Sequence, residues 1–272
     1  MDKPTVGFIG LGEMGEPMAR RLLQHGFPVV SCANRTRATI EALTKVGLVE
    51  VADPAEVGAR ADIVMTIVVD QAQTDTVLRG TKGALASLRP GSVIVVMSTL
   101  APGYCQDLAR EAATRDVAVL DCPVSGARMA AEQGTLALMV GGDAAALATC
   151  RAALEAMGTI FNCGDVGMGM VAKLANNAVS IGTGALLIEA RKMARAYGMD
   201  LDVLLEIMCQ GTANSFVVQN FEALRPLMAH MATLGGKDIG LAVAAAQAQG
   251  VAMPMLRAWQ TIDWSTFKPD EA

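Results

Sequence analysis

Lys173 is the only charged side chain between Asp165 and Glu189, within the stretch GMGMVAKLANNAVSIGTGALLIEA (167–190). Asn176 and Asn177 follow it, and in a helix Asn177 stands one turn beyond the lysine on the same face. An ammonium is costly to remove from water without a partner. A lone lysine in an apolar helix therefore either snorkels to the surface or sits in a cleft where its proton has a use. Desolvation lowers a lysine's pKa toward neutrality, so that one amine both gives and takes a proton. Hydride transfer to a carbonyl creates an alkoxide that such a group stabilises and protonates.

A second constellation lies near the start of the chain. The apolar run TVGFIG (5–10) leads into Gly10-Leu11-Gly12-Glu13-Met14-Gly15, followed by a helical stretch at 13–25. Alone, G-x-G-x-x-G is a weak signal. Between a strand and a helix, inside a βαβ unit, it has the context that a dinucleotide pyrophosphate requires. Gly10 makes the tight turn, Gly12 lets backbone approach the phosphates, and Gly15 lets helix and strand pack closely. The helix N-terminus offers its free N–H groups to the anion. A carboxylate at the end of the second strand would hold the ribose 2′-OH of NAD(H). Asn34, Arg35 and Thr36 stand there instead, and a guanidinium with a hydroxyl suits a 2′-phosphate. NADP(H) is the expected cofactor, with NAD(H) possible. Val68 and Val69, ending the run DIVMTIVV (62–69), join the cofactor set.

The elements that must position these residues follow from the apolar pattern. Strands are expected at 5–10, 29–33, 48–52, 62–69, 92–98, 117–121, 135–141 and 159–163. Helices are expected between them at 13–25, 37–46, 71–79, 103–115 and 143–157. From 165 onward only helices are expected, at 167–197, 200–210, 215–230, 235–249 and 253–264. The fold class is an α/β Rossmann domain with a mostly parallel, doubly wound sheet (1–164). An all-helical substrate and oligomerisation domain (165–272) follows, joined by a long helix.

Composition narrows the function. The 272 residues are 52% hydrophobic and 18% charged, enough for a sizeable core. The net charge of −5 and the lack of a basic run argue against nucleic acid. Six scattered cysteines without a C-x-x-C pair read as buried thiols of a reducing compartment. Two histidines, His25 and His230, supply neither a multi-histidine metal site nor a hydrolytic triad, and both read as helix-end residues. No metal is expected. With MDKP alone before the first strand, no leader peptide is expected and the cytoplasm is the expected compartment. Residues 168–188 are apolar enough to ask about a membrane. Lys173, the two asparagines and the missing aromatic belt argue against a span.

Four segments in order resemble the β-hydroxyacid dehydrogenases, the family of 3-hydroxyisobutyrate dehydrogenase and tartronate semialdehyde reductase. They are GFIGLGEMGEPMA (7–19), DCPVSGARMAAEQGTLALMVGG (121–142), GMVAKLANN (169–177) and KDIGLA (237–242). The resemblance implies that Lys173 is the general acid/base and matches the motif's asparagine to Asn177; by helical spacing Asn177, with Asn176 at i+3, is placed to hold the substrate or the amine. It implies that Ser125 and Gly126 hold the substrate carboxylate, that Thr99 lies near the nicotinamide, and that Lys237 closes over the cofactor. It also implies a homodimer or homotetramer acting on a small anionic substrate. Two departures stand out. Ala127 replaces the family's second glycine, and Arg128 follows it, either reaching a second anionic group or solvated. The rivals are an imine reductase or reductive aminase, which usually lacks the lysine, and a non-catalytic NADP-binding sensor. Decarboxylating 6-phosphogluconate dehydrogenase shares the lysine but has a much larger helical domain.

Overall fold

The structure is a computed structural model that describes residues 3–33, 37–225 and 228–262. It comprises two compact units, Met1–Lys173 and Leu174–Ala272. The first opens with β1 (Val6–Ile9), α1 (Gly15–Gln24), β2 (Val29–Cys32), α2 (Arg37–Thr44) and β3 (Val49–Val51). It continues through α3 (Pro54–Arg60), β4 (Ile63–Thr66), α4 (Gln71–Arg79), β5 (Val93–Val96) and α5 (Pro102–Ala113). Next come β6 (Ala118–Asp121), β7 (Val124–Ser125), α6 (Ala127–Gln133), β8 (Leu136–Gly141), α7 (Ala144–Glu155) and β9 (Gly158–Gly164). The chain passes from the first unit to the second within α8 (Met168–Ala196). The second unit holds α9 (Leu201–Gln210), α10 (Phe216–Gln219), α11 (Phe221–Leu224), α12 (Met228–Ala248) and α13 (Pro254–Gln260). Among its described residues there is no strand.

The nine strands form one sheet in the order β3-β2-β1-β4-β5-β6-β8-β7, with β9 beside β8. All pairs are parallel except β8 with β6 and with β7. The mostly parallel, helix-covered sheet expected from the sequence is present. Successive residues of a strand face opposite sides, and here both sides are core. Met65 and Val95 pack with Met18 and Leu22 on one side, while Val64 and Ile94 pack with Val57 and Leu108 on the other. That is why these strands read as unbroken apolar runs. The strand order turns back at β1, which has β2 on one side and β4 on the other. The carboxyl ends of these strands open the crevice where such sheets bind ligands.

Four short elements go beyond the sequence reading: α3, a 3-10 helix at Ala84–Ala86, β7 and α6. α3 carries its own signal, an Asp53 side chain that accepts from the Glu56 N–H, with Pro54 in the first turn. The helices expected at 215–230 and 235–249 are drawn differently. Asn220 separates α10 from α11, and α12 runs unbroken through Gly235 and Gly236. A β-carbon at Gly235 would lie 3.4 Å from two Ile181 side-chain carbons, so that glycine permits close packing of α12 on α8 rather than marking a turn. The second unit is built around Leu174, Ala185, Ile239, Ala242, Leu256 and Trp259, with a smaller cluster at Leu187, Ile188, Val218 and Phe221.

Candidate active site

The turn after β1 has the geometry a dinucleotide needs. Gly10 takes φ 105°, and a β-carbon there would lie 2.1 Å from the Ile67 carbonyl oxygen. A β-carbon at Gly15 would lie 1.8 Å from the Gly10 carbonyl oxygen, so both positions exclude a side chain. At Gly12 a β-carbon would meet nothing within 4 Å. The protein itself does not demand that glycine, but a pyrophosphate lying against the backbone does. Helices α3, α4, α7 and α9 begin with aspartates whose side chains accept the first-turn N–H groups. Helix α1 has no such side-chain cap. A helix start left without a side-chain acceptor suits a phosphate. The loop therefore fits NAD(P).

Around it, Leu11 and Met14 pack partly against the core, and Glu13 is exposed. The Val68 N–H donates to Ser98 Oγ at 2.8 Å, joining the ends of β4 and β5. Val69 is exposed and Thr99 is half-buried in the segment after β5. Asn34, Arg35 and Thr36 lie outside the described residues. Arg37, which follows them, pairs with Glu41 and Glu50.

Ser125 ends β7 and is half-buried. Gly126 has φ 129° and Ala127 φ 57°. The missing second glycine is therefore answered by an alanine held in the left-handed region, at a cost of about 1 kcal/mol. Arg128, expected to meet a second anion or solvent, is engaged by protein acceptors. Its Nε donates to Glu132 Oε1 at 2.7 Å, Nη1 to the Glu13 carbonyl at 3.1 Å, and Nη2 to Glu16 Oε2 at 3.2 Å. Glu16 also pairs with Arg20 at 2.6 Å.

Asp121, the last residue of β6, is fully buried. One carboxylate oxygen accepts from the Gly167 N–H at 2.6 Å and the other from the Met170 N–H at 2.7 Å. These are the donors that the start of α8 would otherwise leave unsatisfied. Burial pushes this carboxyl's pKa up, and the N–H groups oppose the shift. A β-carbon at Gly141 or Gly169 would lie 2.5 or 2.8 Å from its oxygens, so both glycines make room for it. Asp121 was not among the sequence candidates. Its signal was an acidic residue closing an apolar strand just before the PVSG loop.

Lys173 is half-buried on α8, one helical turn before Asn177. The Asn177 amide is held from both sides. Its Nδ2 donates to Asp238 Oδ2 at 2.6 Å, and its Oδ1 accepts from Asn176 Nδ2 at 3.2 Å. Asp238 is 9% exposed, and Lys237 Nζ stands 3.3 Å from its other oxygen, close enough to pair but without hydrogen-bond alignment. Asn176, Asn177, Lys237 and Asp238 thus form one polar group in the second unit, although the sequence reading included only the first three. The sign of Asp238 was its place beside Lys237 in KDIGLA.

Among the described residues no cluster of His, Cys, Asp and Glu could hold a metal. All six cysteines are unpaired, four of them buried. His25 closes α1, while the side chain of His230 lies outside the described residues.

Residues 5–182 match the family profile described as the NAD binding domain of 6-phosphogluconate dehydrogenase. Residues 167–268 match the one described as the NAD-binding domain of NADP-dependent 3-hydroxyisobutyrate dehydrogenase. The NAD-dependent L-serine dehydrogenase of Pseudomonas aeruginosa is 34% identical over 92% of this chain and 88% of its own. The L-threonate dehydrogenase of Cupriavidus necator is 34% identical over 79% of this chain and 73% of its own. The solved structure of Mycobacterium tuberculosis 3-hydroxyisobutyrate dehydrogenase with L-serine superposes with a TM-score of 0.84 at 28% identity. It covers 99% of this chain and 95% of its own. The chain belongs to the β-hydroxyacid dehydrogenase family, as a pyridine-nucleotide-dependent dehydrogenase acting on the CH–OH group of a hydroxy acid.

Proposed function

We propose that the chain is an NADP-preferring enzyme that interconverts a small 3-hydroxy acid with its semialdehyde or keto form, using Lys173 as general acid/base. The observation that carries this reading is the position of Lys173 one turn before an asparagine whose amide is fixed by Asp238 and Asn176. In the oxidative direction Lys173, as a free amine, takes the hydroxyl proton as the carbonyl forms. In the reductive direction its ammonium protonates the developing alkoxide. Bound NADP(H) supplies or accepts the hydride. Ser125 Oγ and the N–H groups of Gly126 and Ala127 receive the substrate carboxylate, and Asn177 orients the reacting carbon–oxygen bond. Gly10, Gly12, Gly15 and the start of α1 hold the pyrophosphate.

The preference for NADP rests on Arg35 and Thr36 where an acidic residue would favour NAD. The P. aeruginosa relative is named for NAD, so cofactor choice is read from this chain's own residues. The unpaired, mostly buried cysteines support a cytoplasmic site of action. By length and composition α8 is also long and apolar enough to cross a membrane, with 28% of its apolar window buried. We assign its exposed apolar face to a second copy of the chain, in a homodimer or homotetramer.

The test is initial-rate kinetics of the purified protein with NADP and NAD separately, against 3-hydroxyisobutyrate, glycerate, L-serine, L-threonate and sulfolactate. Turnover of at least one acid, faster with NADP, is expected. NADPH binding without any turnover would favour an imine reductase or a sensor, and faster turnover with NAD would reverse the cofactor assignment.

A further inference from the structure

We propose that Arg128 is a positioning residue that braces the substrate-carboxylate corner, Ser125 to Ala127, against the cofactor's glycine loop. The inference rests on the reading of that corner as the carboxylate site. Arg128 follows directly on two residues with positive φ, Gly126 and Ala127, and the second of them carries a side chain. A left-handed L-residue persists only where its surroundings hold it. Here the next side chain does the holding. Its planar guanidinium reaches Glu132 on its own helix, the carbonyl of Glu13 inside the glycine loop, and Glu16 in the first turn of α1. Three acceptors in different directions use the geometry of the fork as well as its charge. With its N–H groups engaged in this way, Arg128 acts on the substrate through the loop rather than by touching it.

The same contacts link the two binding loops. The corner that receives the carboxylate and the turn that receives the pyrophosphate share one brace, so ordering either loop assists the other. By linkage the assistance is mutual. Glu16 sits in the first turn of the helix assigned to the pyrophosphate, and Arg128 together with Arg20 offsets its charge there.

The test compares Arg128→Ala, Arg128→Lys, Ala127→Gly and the double variant Arg128→Ala/Ala127→Gly, with L-serine or whichever acid of the panel the wild type turns over. Arg128 is about half exposed, so these variants are expected to fold, which thermal melting checks. For Arg128→Ala the KM for the acid is expected to rise about 10-fold with kcat within about 3-fold. Arg128→Lys behaves like the alanine variant, because a single ammonium does not span the three acceptors. Ala127→Gly, which keeps the backbone N–H, is the reference against which the double variant is read. In the double variant it recovers most of the lost KM, because glycine adopts the left-handed corner without a brace.

An unchanged KM in Arg128→Ala overturns the inference, as does full activity in Arg128→Lys. A raised KM that Ala127→Gly fails to rescue also overturns it, since Arg128 would then meet the substrate itself. A wild type that turns over no acid overturns the proposed function instead, and the inference with it.

Discussion

An asparagine next to a catalytic amine helps only if its amide points one way. At Asn177 the direction is set by Asp238, an acceptor that cannot donate when ionised, and by the donor of Asn176 on the other side. Asp238→Asn keeps the shape but both donates and accepts, so the orientation is no longer enforced. We expect about a 10-fold fall in kcat with the KM for NADP unchanged, measured by steady-state kinetics. An unchanged kcat would show that the orientation has no catalytic weight. Arg35 gives a second test at this scale. Arg35→Ala is expected to raise the KM for NADP at least about 10-fold and leave that for NAD as it was. Equal changes for the two cofactors would assign Arg35 to something other than the 2′-phosphate.

Among elements, α8 depends at its start on a residue outside itself. Asp121 holds the N–H groups of Gly167 and Met170, and Lys173 follows less than one turn later. Burial raises this carboxyl's pKa in the folded state. The linked stability is therefore fully present below the unfolded-state pKa and is lost as pH rises through the folded one. Asp121→Asn removes that titration. The melting temperature of wild type relative to this variant is then expected to decline as pH climbs from about 4 toward neutrality. A constant difference across that range would mean that Asp121 ionises as it would in water.

This was a part of the fold the sequence concealed. The parallel strands and α8 were legible because burial on both faces leaves long apolar runs. The glycine loop was legible because Gly10 and Gly15 answer to steric demands that only glycine meets. By contrast α6 starts from a left-handed alanine, which no local pattern announces. The break expected between 230 and 235 is absent because α12 continues across it, and the close packing that Gly235 permits depends on Ile181, more than fifty residues earlier. At the candidate site, Lys173 and Asn177 were legible through helical spacing. Asp121 and Asp238 were not, because each acts through a partner distant in sequence.

On the scale of the whole molecule, α8 leaves Val179, Leu186 and Met193 exposed. Their spacing of seven and seven residues aligns them in one stripe about 21 Å long. We expect Leu186→Glu to shift the protein toward a monomer in size-exclusion chromatography with light scattering. A monomeric wild type would contradict the assignment of this face to a second copy. The central claim is that Lys173 moves the proton, and one comparison tests it most directly. Lys173→Ala is measured beside the wild type for NADPH binding by fluorescence and for turnover of the best acid. NADPH affinity within about 3-fold and turnover reduced at least about 100-fold are predicted. Normal turnover in that variant would contradict the account.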